Sequence, residues 1–440
     1  MNPPDPSLSR RRFTQILGTA AVGLALPGCR DDGTGTGGSS GGEVARAMAA
    51  ASGRRPEVDG TEVLSDLWIT MRDGVRLATD VHLPASGGEA LPGPFPVLLE
   101  RTPYGKSRPS RSERSLAEPD EAKSRAEVAR VFAEHGYAVV YQDLRGRYDS
   151  EGEYTKYLGN AHDGYDTCAW ILEQPWCDGQ IGTKGLSYAA HTQAALASAG
   201  APGVAAMFLD SGGFSNSYQG GIRQGGAFEL KQATWAYRNA LVSPAVLTDD
   251  DLRTRMEEVD VHAWFRDMPW APGRSPVSLA PEYEAYLFEQ WTEGAFTDYW
   301  KQPEIWAAGF WDRWPDCPTM HMSSWFDPYP RTATENYMGL KAAGKGPQYL
   351  ILGPWTHGDR SLTYAGDVDF GSAATLDGQI ARDHWDLRLR WFDHWLRDVE
   401  NGVGDEPRVR YFVMGGGSGR RNAAGRMDHG GRWRSASDWP

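Results

Sequence analysis

The chain has 440 residues, and 45 Lys and Arg against 58 Asp and Glu give a formal net charge of −13 and a pI near 5.3. This acidic balance excludes a generic nucleic-acid-binding protein, because neutralising phosphates requires a basic surface. Hydrophobic residues make up 40% and charged residues 23%, a composition typical of a globular protein. At about 150 residues per domain, the length predicts two or three domains.

The first 29 residues have the features of an export signal. Arg10, Arg11 and Arg12 precede an apolar run over residues 16–28 that is too short to span a bilayer. The paired arginines resemble a twin-arginine signal, and residues 26–29 resemble a lipoprotein box in which Cys29 is acylated after cleavage. We expect an exported protein in the periplasm or at the cell surface, tethered to the membrane through Cys29. The alternative is a plain export signal with an incidental cysteine.

Residues 30–60 follow as a Gly- and Ser-rich segment, whose composition is typical of a flexible tether. Three other cysteines remain, Cys168, Cys177 and Cys317. Cys168 and Cys177 are candidates for a disulfide in an oxidising compartment, and free buried thiols are the alternative that we favour.

From Asp66 onward, apolar runs alternate with turn signals and helical stretches, which predicts an α/β fold with a mostly parallel sheet. The predicted strands cover residues 95–100, 138–144, 181–186, 205–210, 319–323 and 348–352. The predicted helices cover residues 126–135, 164–173, 188–199 and 332–343.

A helical periodicity rich in tryptophan and tyrosine replaces this alternation over residues 213–315. An insertion of this kind between two strands predicts a helical cap over one edge of the sheet, and we expect most of its aromatic side chains to serve packing. Residues 378–398 form a further predicted helix, with Trp385, Leu389, Phe392 and Leu396 on one apolar face.

Ser187 carries the strongest chemical signal. It lies where the predicted strand 181–186 meets a small-residue helix, a turn that projects a serine hydroxyl above the sheet. The usual pattern is Gly-x-Ser-x-Gly, and this chain has Gly185 but Ala189 at the last position. Alanine is the smallest side chain above glycine, so we interpret Ser187 as a nucleophile.

A serine nucleophile needs a histidine base and an acid that orients this base. In this fold the chain order is serine, acid, histidine, with the last two after later strands. Asp327 and His357 follow the predicted strands 319–323 and 348–352, which makes them the predicted partners of Ser187. Asp210 and Asp359 are the competing acids that we consider.

An oxyanion intermediate needs two hydrogen-bond donors. The backbone N–H of Tyr188, directly after the nucleophile, is the first candidate. The second lies in the loop after an early strand, where Tyr104 offers a hydroxyl; from spacing alone, a packed tyrosine is an equally good interpretation. His191, four residues after Ser187, is predicted to be structural.

Seven motifs, taken together, resemble the cocaine-esterase-like group of the X-prolyl dipeptidyl-peptidase superfamily. They lie at residues 71–77, 101–104, 143–147, 174–179, 185–188, 325–327 and 353–357. The resemblance extends from about Val63 to Pro440. It implies an α/β-hydrolase domain over residues 61–400 with a helical cap, followed by a C-terminal β-sandwich (jelly-roll) domain.

The same resemblance implies hydrolysis of a small-molecule ester or amide through an acyl-serine. It assigns Ser187, Asp327 and His357 as the triad and Tyr104 with the Tyr188 N–H as oxyanion donors, and it implies no metal or organic cofactor. Relatives include X-prolyl aminopeptidases, which form the enzymatic alternative to an acyl esterase or acylase. Relatives that hydrolyse α-amino-acid esters carry a glutamate at the position of Ala189, so that substrate class is disfavoured.

Residues 401–440 resemble only the beginning of the C-terminal domain, with strand-like alternation over residues 407–414. We therefore expect either a fragment or a truncated protein. An inactive exported binding protein is the alternative from outside the enzymes.

Overall fold

The alternating apolar runs of the sequence form the strands of one central sheet. The computed structural model describes residues 58–110, 113 and 123–439, all within one unit, Ala45–Pro440. The predicted signal, Cys29 and nearly all of the tether lie outside these residues. The long strands are β1 (Gly60–Thr70), β2 (Arg76–Ser86), β3 (Phe95–Thr102), β4 (Ala138–Asp143), β5 (Cys177–Leu186), β6 (Val204–Asp210), β7 (Thr319–Ser324), β8 (Gln348–Gly353), β9 (Val409–Met414) and β10 (Gly431–Ala436).

The sheet has the order β1-β2-β4-β3-β5-β6-β7-β8-β9-β10. The seven neighbouring strands β4-β3-β5-β6-β7-β8-β9 are parallel to one another. The pairs at both ends, β1 with β2, β2 with β4, and β9 with β10, are antiparallel. Strands β1 and β2 have no counterpart among the predicted strands.

Both faces of the sheet are covered, which explains the nearly continuous apolar runs of its inner strands. Val97 and Leu99 on β3 point into one apolar cluster, and Leu98 between them points into another. The covering helices are α1 (Arg125–Ala133), α2 (Asn160–Leu172), α3 (Tyr188–Ser198), α9 (Pro330–Ala342) and α10 (His384–Arg397). The alternation of side chains on β3 thus links the two clusters through a single strand.

Helix α10 begins at His384, later than predicted, because the carboxylate of Asp383 accepts the N–H of Asp386 and caps the helix there. Its predicted apolar face, including Trp385, Leu389 and Phe392, is buried in the same cluster as Phe132 of α1. No helix in the described part of the chain combines the length and the apolar character needed to cross a bilayer.

The insertion between β6 and β7 is helical, as predicted. It contains α4 (Lys231–Ala240), α5 (Pro244–Leu247), α6 (Asp250–Glu257), α7 (Val261–Arg266) and α8 (Pro281–Thr292), with short 3-10 turns at Asp298–Lys301, Ala307–Gly309 and Trp311–Arg313. Tyr283 and Trp300 are fully buried in a cluster that also contains Tyr188 from the core. The cap therefore packs around its own aromatic residues and contacts the sheet near the end of β5.

The C-terminal residues differ from the prediction of a separate β-sandwich. Strand β9 pairs in parallel with β8, and β10 pairs with β9, so both continue the central sheet. Val409 and Phe412 of β9 are buried. The physical reason is that β8 needs a partner along its outer edge, and strand-like alternation by itself does not tell which sheet a strand joins.

The three cysteines of the described residues are free thiols, with Cys168 and Cys317 buried. The candidate disulfide between Cys168 and Cys177 is therefore not formed. Burial raises the pKa of the Cys168 thiol to about 12, so this sulfur is held protonated and unreactive.

Candidate active site

Ser187 lies on a strained turn between β5 and α3. Its backbone has φ +62° and ψ −117°, a conformation that costs a non-glycine residue of the order of 1–3 kcal/mol and recurs at functional sites. The Ser187 N–H donates to the carbonyl of Asp210 on β6 at 2.8 Å. The turn is therefore held by the neighbouring strand.

Two glycines make the close backbone approaches of this turn possible. A Cβ on Gly185, which has φ +144°, would lie 2.4 Å from the Cβ of Ala189, and a Cβ on Gly212 would lie 2.4 Å from the Ser187 carbonyl oxygen. The structure thus accounts for Ala189, because its methyl group takes the space that Gly185 leaves open.

His357 and Asp327 are brought together at the ends of β8 and β7. The His357 Nδ1 lies 2.6 Å from the Asp327 Oδ2, and the Tyr329 N–H donates to the other carboxylate oxygen at 2.7 Å. The Asp327 side chain is fully buried, whereas that of His357 is 38% exposed. A buried carboxylate on Nδ1 leaves the Nε2 of the imidazole available as a base.

The loops that carry these two residues are bonded to each other and contact the serine turn. The N–H of Trp325 donates to the Gly353 carbonyl at 2.9 Å, and the N–H of Phe326 donates to the Trp355 carbonyl at 3.2 Å. A Cβ on Gly358 would lie 2.9 Å from Leu186. The residue after His357 therefore packs against the residue before Ser187.

The pKa of His357 is raised above its usual value of 6.5. Burial acts to lower it, but the charge of Asp327 and its hydrogen bond outweigh burial, and the charge of Asp210 adds to the rise. Lys231 acts in the opposite direction. The acids around the imidazole thus make it a stronger base than a free histidine.

The competing acids have other partners. The carboxylate of Asp210 is buried against Arg360, whose Nε donates to it at 2.9 Å, and Asp359 accepts the hydroxyl of Thr356 at 2.5 Å. Asp327 is therefore the carboxylate in contact with the His357 ring.

His191, four residues after Ser187, is buried. It accepts the Gly213 N–H at 2.9 Å and stacks on Phe214 with the ring centroids 3.7 Å apart. These contacts fit its predicted structural role.

Tyr104 lies in the loop after β3, and its ring centroid is 6.4 Å from that of Tyr188, the residue directly after Ser187. The Tyr104 hydroxyl accepts the indole N–H of Trp235 at 3.1 Å and interacts with the side chain of Ser187. Burial raises the pKa of Tyr104, against the smaller effect of these two hydrogen bonds. The hydroxyl is therefore protonated at neutral pH and can act as a donor.

The side chain of Tyr188 is part of the core. Its hydroxyl accepts the Tyr157 N–H at 2.5 Å and the Tyr154 hydroxyl at 3.2 Å, and its ring stacks on that of Tyr157. Tyr188 is also the first residue of α3, where the backbone N–H has no acceptor within the helix. This N–H, rather than the phenol, is the group that can bind an oxyanion.

Several polar residues around the site were not predicted from the sequence. Lys156 and Lys231 lie near the triad, and Arg147 spans the loop of Tyr104 and the cap. Trp235 stood in the sequence only as one of many cap aromatics. No local sequence pattern distinguishes these residues from ordinary packing residues, because their partners lie in distant segments of the chain.

Comparisons with known proteins identify one family and several relatives of this chain. The family described as X-Pro dipeptidyl-peptidase (S15 family) matches residues 73–359. A cocaine esterase from Rhodococcus sp. (strain MB1 Bresler) is 30% identical over 391 residues, which cover 87% of this chain and 61% of that protein. The chain thus spans less than two thirds of the length of this relative.

Two solved structures show the same fold. A CocE/NonD family hydrolase from Staphylococcus aureus superposes with a TM-score of 0.59 at 21% identity, covering 86% of this chain and 56% of that one. An aminopeptidase from a Thaumarchaeota archaeon gives a TM-score of 0.59 at 21% identity, covering 88% and 60%. The predicted α/β-hydrolase fold is confirmed.

Proposed function

Because the chain belongs to the X-Pro dipeptidyl-peptidase (S15) family, we propose that it is a serine hydrolase that cleaves esters or amides through an acyl-serine intermediate. The observation that carries the proposal is the 2.6 Å contact between His357 and the buried Asp327, on loops packed against the strained turn of Ser187. Ser187 is the nucleophile, His357 the base and Asp327 the acid.

In the acylation step, the Ser187 oxygen attacks the carbonyl carbon of the substrate while the His357 Nε2 takes the hydroxyl proton. The resulting imidazolium is stabilised by the carboxylate of Asp327. The C–O or C–N bond to the leaving group then breaks, and the proton on Nε2 passes to the leaving atom. Water repeats the sequence, attacking the acyl-serine to release the acid and restore Ser187.

The negative charge on the carbonyl oxygen is bound by the Tyr188 N–H and the Tyr104 hydroxyl. The first is the N–H at the start of α3, directly after Ser187. The second comes from the loop after β3, where the Tyr104 ring centroid lies 6.4 Å from that of Tyr188. Donors of this kind stabilise the transition state more than the neutral carbonyl of the substrate, so they raise kcat.

Among substrates, we favour an acyl ester or a neutral acyl amide over an X-Pro peptide with a free ammonium group. The carboxylates that influence the site are already paired: Asp210 with Arg360, and Glu229 with Lys231. Lys231 itself lowers the pKa of His357, so a cation near the triad would repel a substrate ammonium.

Labelling with a fluorophosphonate probe tests the nucleophile. The unaltered chain is expected to react, and Ser187→Ala to lose the label completely, while the exposed Ser107→Ala retains it. Ser187→Ala and His357→Ala are each expected to lower turnover by about 10³-fold or more. No labelling of the folded chain would reject the proposal.

Substrate preference is tested by comparing phenyl esters with the chromogenic amides of Ala-Pro and Gly-Pro. We expect a higher kcat/KM for the esters. A clear preference for the X-Pro amides would favour the aminopeptidase alternative.

We also propose that the protein is exported and anchored through an acylated Cys29, on the basis of the arginine pair and the lipoprotein box in residues 10–29. Mass spectrometry of the mature N-terminus tests this proposal. A mature chain that begins elsewhere without a lipid would contradict it.

A further inference from the structure

The hydroxyl of Tyr104 receives a hydrogen bond from the cap. The donor is the indole Nε1 of Trp235 on α4, 3.1 Å from the Tyr104 oxygen. An indole N–H can only donate, whereas a phenolic hydroxyl has one proton to give and lone pairs to accept. The bond therefore fills an acceptor position of Tyr104 and leaves the phenolic proton for a different partner.

The indole of Trp235 is held in a fixed orientation by its neighbours. Its ring stacks with those of Tyr188 and Tyr154, with centroids 5.9 and 6.2 Å away and interplanar angles of 27° in both pairs. The Nζ of Lys156 lies 3.8 Å from the ring centroid and donates to Gln232 on the same helix at 2.7 Å. The direction of the N–H is thus determined by packing from the core.

Arg147 fixes the two segments relative to each other. This fully buried side chain donates through Nε to the Pro103 carbonyl at 3.1 Å, just before Tyr104. Its Nη1 donates to the Asn239 carbonyl at 3.3 Å, on the helix that carries Trp235. One guanidinium therefore binds both sides of the contact between Trp235 and Tyr104.

We infer that Trp235 is a positioning residue, whose N–H turns the phenolic proton of Tyr104 toward the oxygen of the tetrahedral intermediate at Ser187. The bond also polarises the hydroxyl, since a group that accepts a hydrogen bond becomes a stronger donor. This inference rests on the proposed function. It makes the cap helix α4 part of the device that binds the oxyanion.

Other cap tryptophans provide an internal comparison. The indole N–H of Trp270 donates to the Trp264 carbonyl at 2.9 Å, and that of Trp300 donates to the Glu293 carbonyl at 2.9 Å. Those bonds close turns within the cap. The acceptor of Trp235 is instead a side-chain hydroxyl, that of the proposed oxyanion donor Tyr104.

A double-mutant cycle between Trp235→Phe and Tyr104→Phe tests the inference with a phenyl ester. Tyr104→Phe is expected to lower kcat about 10²-fold. Trp235→Phe is expected to lower kcat by about 3- to 10-fold with KM nearly unchanged, the size of one hydrogen bond. When Tyr104→Phe is already present, Trp235→Phe is expected to have almost no further effect, because its target hydroxyl is gone.

Trp270→Phe is the matched control, since it removes an indole N–H from the cap without touching Tyr104, and it is expected to keep the unaltered kcat. A second variant replaces Trp235 with benzothienylalanine, which keeps the shape of the bicyclic ring and exchanges only N–H for sulfur. It is expected to match Trp235→Phe in kcat while retaining the unaltered thermal unfolding midpoint.

The inference would be overturned if Trp235→Phe lowered kcat by the same factor with and without Tyr104→Phe. It would also be overturned if Trp235→Phe raised KM without lowering kcat. In either case the indole would act on packing or on substrate binding. An unaltered chain that reacts with the fluorophosphonate and shows such additive losses would leave the proposed function standing. Absence of labelling in the unaltered chain would overturn the proposed function and this inference with it.

Discussion

The pKa of His357 depends on the charged residues around the imidazole ring. Asp327 and Asp210 raise its pKa, while burial and Lys231 lower it, with a net rise. In the proposed mechanism the neutral imidazole is the base, so we expect kcat/KM to fall as the pH drops through the pKa of His357. The acid limb of the pH profile therefore reports the charges beside the ring.

Asp210→Asn is expected to move this acid limb to lower pH. Removal of a negative charge near the imidazole makes the imidazolium less stable, so His357 loses its proton at a lower pH. Asp359→Asn is the matched control, because its carboxylate is bound to Thr356, and we expect a smaller shift. A pH profile of kcat/KM that stays in place or moves upward in Asp210→Asn would contradict the assignment.

Asp327→Asn is expected to lower kcat by about 10³-fold or more, because an amide cannot stabilise the imidazolium and also permits the wrong tautomer of His357. Steady-state kinetics measure this loss, and Asp359→Asn is expected to keep most of the activity. A larger loss in Asp359→Asn than in Asp327→Asn would show that the acid has been assigned to the wrong residue.

At the scale of elements, the serine turn depends on how β5 meets α3. Gly185 and Gly179 lie on the same strand, and both have positive φ values. A Cβ on Gly185 would collide with Ala189, while a Cβ on Gly179 would meet nothing within 4 Å. A substitution at Gly179 therefore introduces backbone strain alone, whereas one at Gly185 introduces strain together with a steric clash at the serine turn.

Gly185→Ala is expected to lower the free energy of unfolding by about 2–4 kcal/mol, from strain at positive φ together with overpacking. Gly179→Ala carries only the first of these costs, about 1 kcal/mol. Urea unfolding measures both values, and we expect kcat to fall only in Gly185→Ala, since the clash displaces Ser187. Equal effects of the two substitutions on stability and kcat would contradict this account.

At the scale of the whole molecule, the C-terminal strands support the loop of the acid. The Trp325 indole donates to the Phe412 carbonyl of β9 at 2.8 Å. Trp433 of β10 packs against Trp355, which lies two residues before His357, with the ring centroids 5.7 Å apart. The sheet edge formed by β9 and β10 thus supports the loops that carry Asp327 and His357.

Trp433→Ala is expected to lower the free energy of unfolding by about 2–3 kcal/mol, since this half-buried ring packs on two core aromatics. Val413→Ala, on the exposed side of β9, is expected to cost less than about 1 kcal/mol. Both are measured by urea unfolding as a single transition. A separate transition for the C-terminal residues, with the rest unaffected, would show that they form an independent unit.

The sequence by itself determined the hydrolase core and the triad candidates. Apolar runs and turn signals are local, and the order of the triad residues along the chain is fixed in this fold. The sequence could therefore predict strand 181–186 with Ser187, and the later strands that precede Asp327 and His357. Gly185 and Ala189 likewise indicate a tight turn by residue type alone, because small side chains permit a close approach of the backbone.

Only the tertiary structure decided which carboxylate contacts His357, which sheet β9 and β10 join, and which of the cap aromatics reaches Tyr104. Asp210 and Asp327 both end a strand, and only the partners of each, Arg360 and His357, separate them. The physical reason is that hydrogen bonds and charge pairs form between segments distant in the chain. The local sequence determines which polar groups each residue carries, and tertiary packing determines which partners those groups contact.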